Sequence, residues 1–219
     1  QDCEHYAKWR AGIGAVSLSL IYPEGFMNNP ASMFGHTLLR LDIRRETGAE
    51  DMLAYAVDFT GDTRGESTMI YVAKGIVGLY SGYFGVNPYY QQLERYADWE
   101  NRDIWEYRLA FGEAELDFVM MHLWELRGVA FPYYFFDENC SYQLLELMEV
   151  GRPELELSQG FPLTVIPADT VRAVVAVPGL VESVKYRPSP ANRLRHELKQ
   201  LDPRSRKMVR EIAEGEREL

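Results

Sequence analysis

Phe135-Phe136-Asp137-Glu138-Asn139-Cys140-Ser141-Tyr142-Gln143-Leu144-Leu145 is the stretch on which the reading of this chain turns. An aromatic run, 131–136, stops at three polar residues, and an apolar pattern of helical spacing follows as far as Val150, with Gly151 to end it. Cys140 therefore opens a helix. A thiol in that position lies at the positive end of the helix dipole, among backbone N–H groups with no partner inside the helix, and both favour the thiolate. The same N–H groups could hold an oxyanion. The plain alternative is a packing residue, since free Cys is among the most buried residue types.

A nucleophilic thiol needs a base. The chain has four His. His5 lies in the terminal segment, His196 in a charged tail, and His122 within an amphipathic helix where packing is the expected role. His36 is different. It follows Gly35, which allows close backbone approach, and the pattern predicts that it opens a strand over 36–43, after a loop marked by Asn28-Asn29-Pro30. A His on a strand and a Cys at a helix start are the two halves of a papain-like active site, here in reverse chain order. A third polar residue would orient the imidazole. The neighbouring strand offers Asp58 and Tyr55, which point to opposite faces because they differ by an odd number. Asp58 is the better chemical choice and Tyr55 the alternative. Asp42 shares a face with His36 but lies too far along the strand.

Working outward, residues 1–12 read as a helix and 13–22 as a strand. A hairpin turn over 44–51 leads to a third strand over 52–59, and 68–73 suits a short strand. Residues 74–90 interleave Gly75, Gly78, Gly82 and Gly85 with Tyr80, Tyr83, Phe84, Tyr89 and Tyr90. They fit either a loop packed over the core or a flexible apolar flap over a substrate. The second reading makes Tyr80 and Tyr83 substrate contacts. Lys74 reads as a phosphate contact or as a solvated surface charge. Further elements are a helix over 91–101, a strand over 103–109, a strong amphipathic helix over 112–127, a helix over 167–175 and a strand over 181–186. The expectation is an α+β fold with an antiparallel sheet packed on the helix that carries Cys140. It forms one domain over 1–187, followed by a charged helical tail or connector over 188–219.

Composition sets limits. The chain of 219 residues is 47% hydrophobic, enough for a sizeable core, and its net charge of −10 argues against nucleic acid and against broad polybasic attachment to lipid. Two cysteines, Cys3 and Cys140, allow one disulfide but no framework, and pairing them would disarm Cys140. No apolar stretch is long enough to span a bilayer. The start at Gln1 suits a processed exported protein, with a truncated cytosolic one as the alternative. No metal-ligand spacing and no dinucleotide or phosphate-loop fingerprint occurs, so no cofactor is expected.

Several segments resemble the extracytoplasmic domain of Lnb-type bacterial lipoprotein N-acyltransferases. They are 29–42 (Asn-Pro-Ala-Ser-Met-Phe-Gly-His-Thr-Leu-Leu-Arg-Leu-Asp), 55–59, 74–90, 102–107 and 137–142. More distantly the chain is similar to circularly permuted NlpC-like papain folds such as lecithin:retinol acyltransferase, which also place His before an Asn-Cys pair. The resemblance implies Cys140 as nucleophile and His36 as base, with Asn139 in the substrate site. It implies a phospholipid acyl donor, a diacylated lipoprotein acceptor, a membrane surface as partner, and a location at the periplasmic face of the inner membrane. Family members can carry a membrane-embedded region that this chain lacks, so either a domain of a larger protein or a soluble relative with another substrate is expected. The same dyad would also serve an envelope cysteine hydrolase, either a peptidoglycan amidase or peptidase or a lipid deacylase. A non-catalytic lipid or lipoprotein binder would show a wide Cys140–His36 separation or a Cys3–Cys140 disulfide.

Overall fold

The alternating apolar residues of 15–23 form the centre of the molecule. In the computed structural model, which describes residues 2–27, 33–44, 50–61, 74–75 and 78–213, they make strand β1 (Ala15–Pro23) after helix α1 (Asp2–Ile13). The other strands are β2 (Leu38–Ile43), β3 (Tyr55–Gly61), β4 (Tyr80–Pro88), β5 (Ile104–Leu109), β6 (Phe131–Tyr133) and β7 (Val181–Arg187). All seven pair antiparallel in the order β6-β4-β3-β2-β1-β5-β7. The helices are α2 (Tyr89–Leu93), α3 (Glu113–Glu125), α4 (Cys140–Gly151), α5 (Pro167–Ala176), α6 (Pro190–Gln200) and α7 (Pro203–Ala213). The molecule mixes helix and sheet, and one face of the antiparallel sheet packs on the helix that begins at Cys140.

Both faces of the sheet are covered, so the central strands are buried almost continuously rather than in alternation. One face presents Leu18, Leu20, Leu39, Leu41 and Val57 to Leu116, Val119, Met120 and Leu123 of α3 and to Leu144, Leu145, Leu147 and Met148 of α4. Each such side chain, fully buried, contributes roughly 1.5–3 kcal/mol. The other face packs Ile21, Leu38, Ala54, Ala56 and Ile104 under Tyr89 and Leu93 of α2 and under Tyr96. Tyr96 belongs to a π-helical stretch, Glu94–Trp99, that continues α2.

That second face also holds buried charge. Arg40 donates to Asp42 at 2.5 Å and to Glu106 at 2.7 Å. Asp42 accepts from Ser19 and Ser17, and Glu106 from Arg187 and Tyr89. Burial works against the Arg40 charge, but Asp42 and Glu106 outweigh it and raise its pKa above the usual guanidinium range.

Two expectations change. Residues 80–88 are neither a packed loop nor a flap: they form β4, paired with β3 and β6. Its glycines make room across the ladder, since a Cβ on Gly82 would stand 2.2 Å from the Phe59 ring and one on Gly85 2.5 Å from the Asp58 carboxylate. The third strand begins at Tyr55, after a 3-10 turn over Glu50–Leu53, and the strand expected over 68–73 lies outside the described residues. The tail is helical as far as Ala213, with α6 started by a Ser189 cap and Pro190 at its first position.

Candidate active site

The segment leading into β2 and the start of α4 meet. Gly35 has φ of +92°, and a Cβ there would stand 2.5 Å from the Tyr22 ring. Only glycine fits both the angle and the space. The next residue, His36, is not in the strand as expected. It lies in the turn just before β2, with its N–H donating to the Pro23 carbonyl at 3.2 Å. From there its Nδ1 lies 3.1 Å from the Cys140 Sγ. Cys140 is buried and, like exposed Cys3, a free thiol. Neither feature expected of a non-catalytic binder, the wide separation or the disulfide, is present.

The residue after each member of the pair clasps the other's element: the Thr37 and Ser141 hydroxyls, both buried, are 2.9 Å apart. Asn139 caps α4. Its Oδ1 accepts from the N–H groups of Ser141 (3.0 Å) and Tyr142 (3.3 Å), and its Nδ2 donates to the carbonyls of Val165 (2.7 Å) and Phe135 (3.3 Å). The expectation that Asn139 contacts substrate is therefore corrected, because its amide is committed to holding the helix start. The oxyanion expectation narrows as well. Ser141 and Tyr142 spend their N–H groups on the cap, while the Cys140 N–H makes no hydrogen bond among the described residues.

Burial raises the Cys140 thiol pKa, against hydrogen bonds from Thr37 and Ser141 that favour the thiolate. Burial, followed by the positive charges of Arg102 and Arg95, lowers the His36 pKa from 6.5 to about 3. Both directions favour the uncharged thiol and imidazole over an ion pair. With Nδ1 facing the thiol as acceptor, the ring proton sits on Nε2, which is buried and has no hydrogen-bond partner among the described residues.

That orphan atom corrects the assignment of the third residue. Asp58 lies on the opposite face of β3 from Tyr55, as the pleat predicts, but its oxygens accept from Asn87 and Gln92, both at 3.3 Å, rather than from the imidazole. Burial raises its pKa. Tyr55 stands opposite Leu41 and Pro88, at the other end of β3, and packs on the helix-covered face. What flanks the imidazole instead is Tyr96, its ring centroid 5.7 Å away. The guanidinium of Arg102 lies 4.8 Å from the Tyr96 ring centroid and that of Arg95 5.5 Å. No local pattern announces Tyr96, because a π-helical turn and a distant chain contact bring it there. Thr37 and Ser141 carried a faint signal as small hydroxyl residues beside each reactive one.

Of the aromatic residues expected at the site, Tyr80 is there: with Phe59 and Tyr133 it forms the apolar cluster that includes Cys140. The Lys74 ammonium lies 5.8 Å from the Tyr80 ring centroid. Tyr83 is exposed on the opposite face of β4 and takes no part in that wall. Asn28, Asn29 and Ser32, expected to shape the loop before His36, lie outside the described residues. Among the described residues no group of three His, Cys, Asp or Glu could hold a metal ion, and no helix is long and apolar enough to cross a membrane.

Fold and site together define an α+β domain that holds a buried thiol in contact with an imidazole at a helix start. The chain belongs to the Lnb N-terminal periplasmic domain family, whose model matches residues 5–177. The matched span includes His36, Cys140 and every strand except β7, and it places the domain in the periplasm. No curated protein and no solved structure matches the chain.

Proposed function

We propose that this domain is a cysteine-dependent acyltransferase with a circularly permuted papain-like fold. It moves an acyl chain from a phospholipid through a Cys140 thioester to the amino-terminal amine of a diacylated lipoprotein. The observation that carries the reading is the 3.1 Å contact between Cys140 Sγ and His36 Nδ1 at a helix start; membership of the Lnb family supports it. The His-before-Cys order and the antiparallel sheet support the permuted topology.

In the first half-reaction Nδ1 takes the thiol proton as Sγ attacks the ester carbonyl. The Cys140 N–H donates to the oxyanion. The C–O bond breaks, and the lysolipid oxygen leaves with the proton from Nδ1. In the second half-reaction the amine attacks the thioester, Nδ1 takes a proton from nitrogen, and the departing thiolate takes that proton back. A neutral resting pair suits this cycle, because both partners begin and end uncharged. The apolar wall of Phe59, Tyr80 and Tyr133 keeps the thioester away from water.

The test incubates the purified chain with phospholipid and a synthetic diacylated lipopeptide and follows the peptide by mass. The expected product is the N-acylated peptide together with lysophospholipid. Free fatty acid with an unmodified peptide would replace transfer by hydrolysis, and an unchanged donor would remove catalysis altogether.

A further inference from the structure

The two C-terminal helices carry the opposite charge to the rest of the molecule. Residues 190–213 hold seven Lys and Arg (Arg193, Arg195, Lys199, Arg204, Arg206, Lys207, Arg210) against three acidic residues, in a chain whose net charge is −10. The next six residues are acidic in balance, so the excess belongs to the helices themselves. Each helix is amphipathic. Leu194 and Leu198 stand one turn apart on α6, Leu201 follows at its C-cap, and Met208, Val209 and Ile212 form a stripe on α7. Yet neither helix has a buried residue. Leu194 is 55% exposed and Val209 41%. The Arg193, Arg195, His196 and Lys199 side chains line a surface hollow together with Tyr186.

The pair is firmly attached. Asp103 accepts from the Ser189 N–H (2.8 Å), the Asn192 side chain (2.6 Å) and the Tyr186 hydroxyl (2.5 Å). The Arg206 guanidinium donates to the carbonyls of Leu198, Lys199 and Leu201, which ties α7 to the end of α6. The anchor is close to the reactive pair. Asp103 follows Arg102, which donates to the Pro23 carbonyl that also accepts from the His36 N–H.

We infer that α6 and α7 form a docking surface for an anionic lipid bilayer, lying in the interface with their apolar stripes in the headgroup region. Charge complementarity selects the occupant: a basic amphipathic helix suits an anionic lipid surface, and a periplasmic domain faces one. The tether through Asp103 then holds the thiol-bearing end of the sheet at a fixed position relative to the membrane. An acidic protein partner would use the cations but would not need both apolar stripes.

The test is co-sedimentation of the Cys140→Ser chain with vesicles of phosphatidylglycerol and phosphatidylcholine mixed, and of phosphatidylcholine alone, in 0.1 M and 0.5 M NaCl. Binding is expected on the mixed vesicles only, and it weakens at the higher salt. Each surface cation contributes about fivefold, so the triple variant Arg193→Gln, Arg195→Gln, Lys199→Gln is expected to lose about 100-fold. Leu194→Asn with Leu201→Asn is expected to lose about tenfold or more. Circular dichroism and thermal unfolding show that the variants stay folded. Equal binding to both vesicle types, indifference to both, or wild-type binding by the triple variant overturns the proposal. Turnover is not read here. A chain that binds the anionic vesicles and never transfers an acyl group upholds the docking surface and removes only the acyltransferase reading.

Discussion

Two polar clusters are buried against the same sheet, and they are completed in different ways. Around Arg40 the guanidinium meets Asp42 and Glu106, and those carboxylates gather Ser17, Ser19, Tyr89 and Arg187. Around His36 the count falls short. Nδ1 faces a thiol whose pKa burial has raised, Nε2 has no partner among the described residues, and the nearby cations Arg102 and Arg95 oppose a positive imidazole. A scaffold gains by answering every buried polar atom. A reactive site keeps some unanswered, so that substrate and transition state complete them. On the proposed function the Arg40 cluster is structural and the His36 cluster chemical, and the two differ in how completely their polar atoms are paired among the described residues.

The largest expected separation between them is in activity. His36→Gln should lower acyl transfer by about 10²–10⁴-fold, the range of a lost general base, while the protein stays folded. The same variant carries a signature in pH. The His36 pKa is lowered on folding, so between 6.5 and about 3 the unfolded chain binds a proton that the native one does not. That contribution to stability is complete above 6.5 and is lost as pH falls towards about 3. Denaturant titrations of wild type across this window should show the decline, and His36→Gln should flatten it. Equal slopes in the two proteins would contradict a neutral imidazole at His36.

Arg40→Met should do the reverse. Removing the centre of the structural cluster leaves Asp42 and Glu106 buried without their shared cation and should cost about 3–5 kcal/mol, read as a lowered denaturant midpoint. Activity per folded molecule should hold. A hundredfold loss of kcat/KM at unchanged stability would move Arg40 into the site.

The smallest effect sharpens the boundary between the clusters. Asp58→Asn keeps contacts with Asn87 and Gln92 within reach and should cost less than tenfold in kcat/KM. A drop of hundredfold or more would return Asp58 to the role of orienting His36.

How much of this was legible in the sequence follows from how local each feature is. The start of α4 was readable because the break at 137–139 and the apolar run behind it lie within a dozen residues. Gly35 was readable as a close approach, although its neighbour Tyr22 was not. Strand β4 was misread because glycine argues against a strand. Gly82 and Gly85 sit in one because Phe59 and Asp58, on the adjacent strand, occupy the space where side chains would be. Tyr55 and Asp58 were correctly sent to opposite faces by the pleat, but the pleat does not say which position along β3 the reactive pair reaches. Tyr96 and Arg102 could not be found locally, because a π-helical turn and a separate segment bring them to His36. The tail was readable as charged helix, whereas the sign of its charge was hidden beneath the negative total.

The central claim is that Cys140 carries the acyl chain. Rapid acid quench of the protein with phospholipid, in the absence of any amine acceptor, followed by intact-mass measurement and peptide mapping, tests it directly. The account predicts one added acyl mass on Cys140 in wild type, released by hydroxylamine, and none in Cys140→Ala. An acyl adduct of equal yield in Cys140→Ala, or one mapped to any other residue, would contradict it.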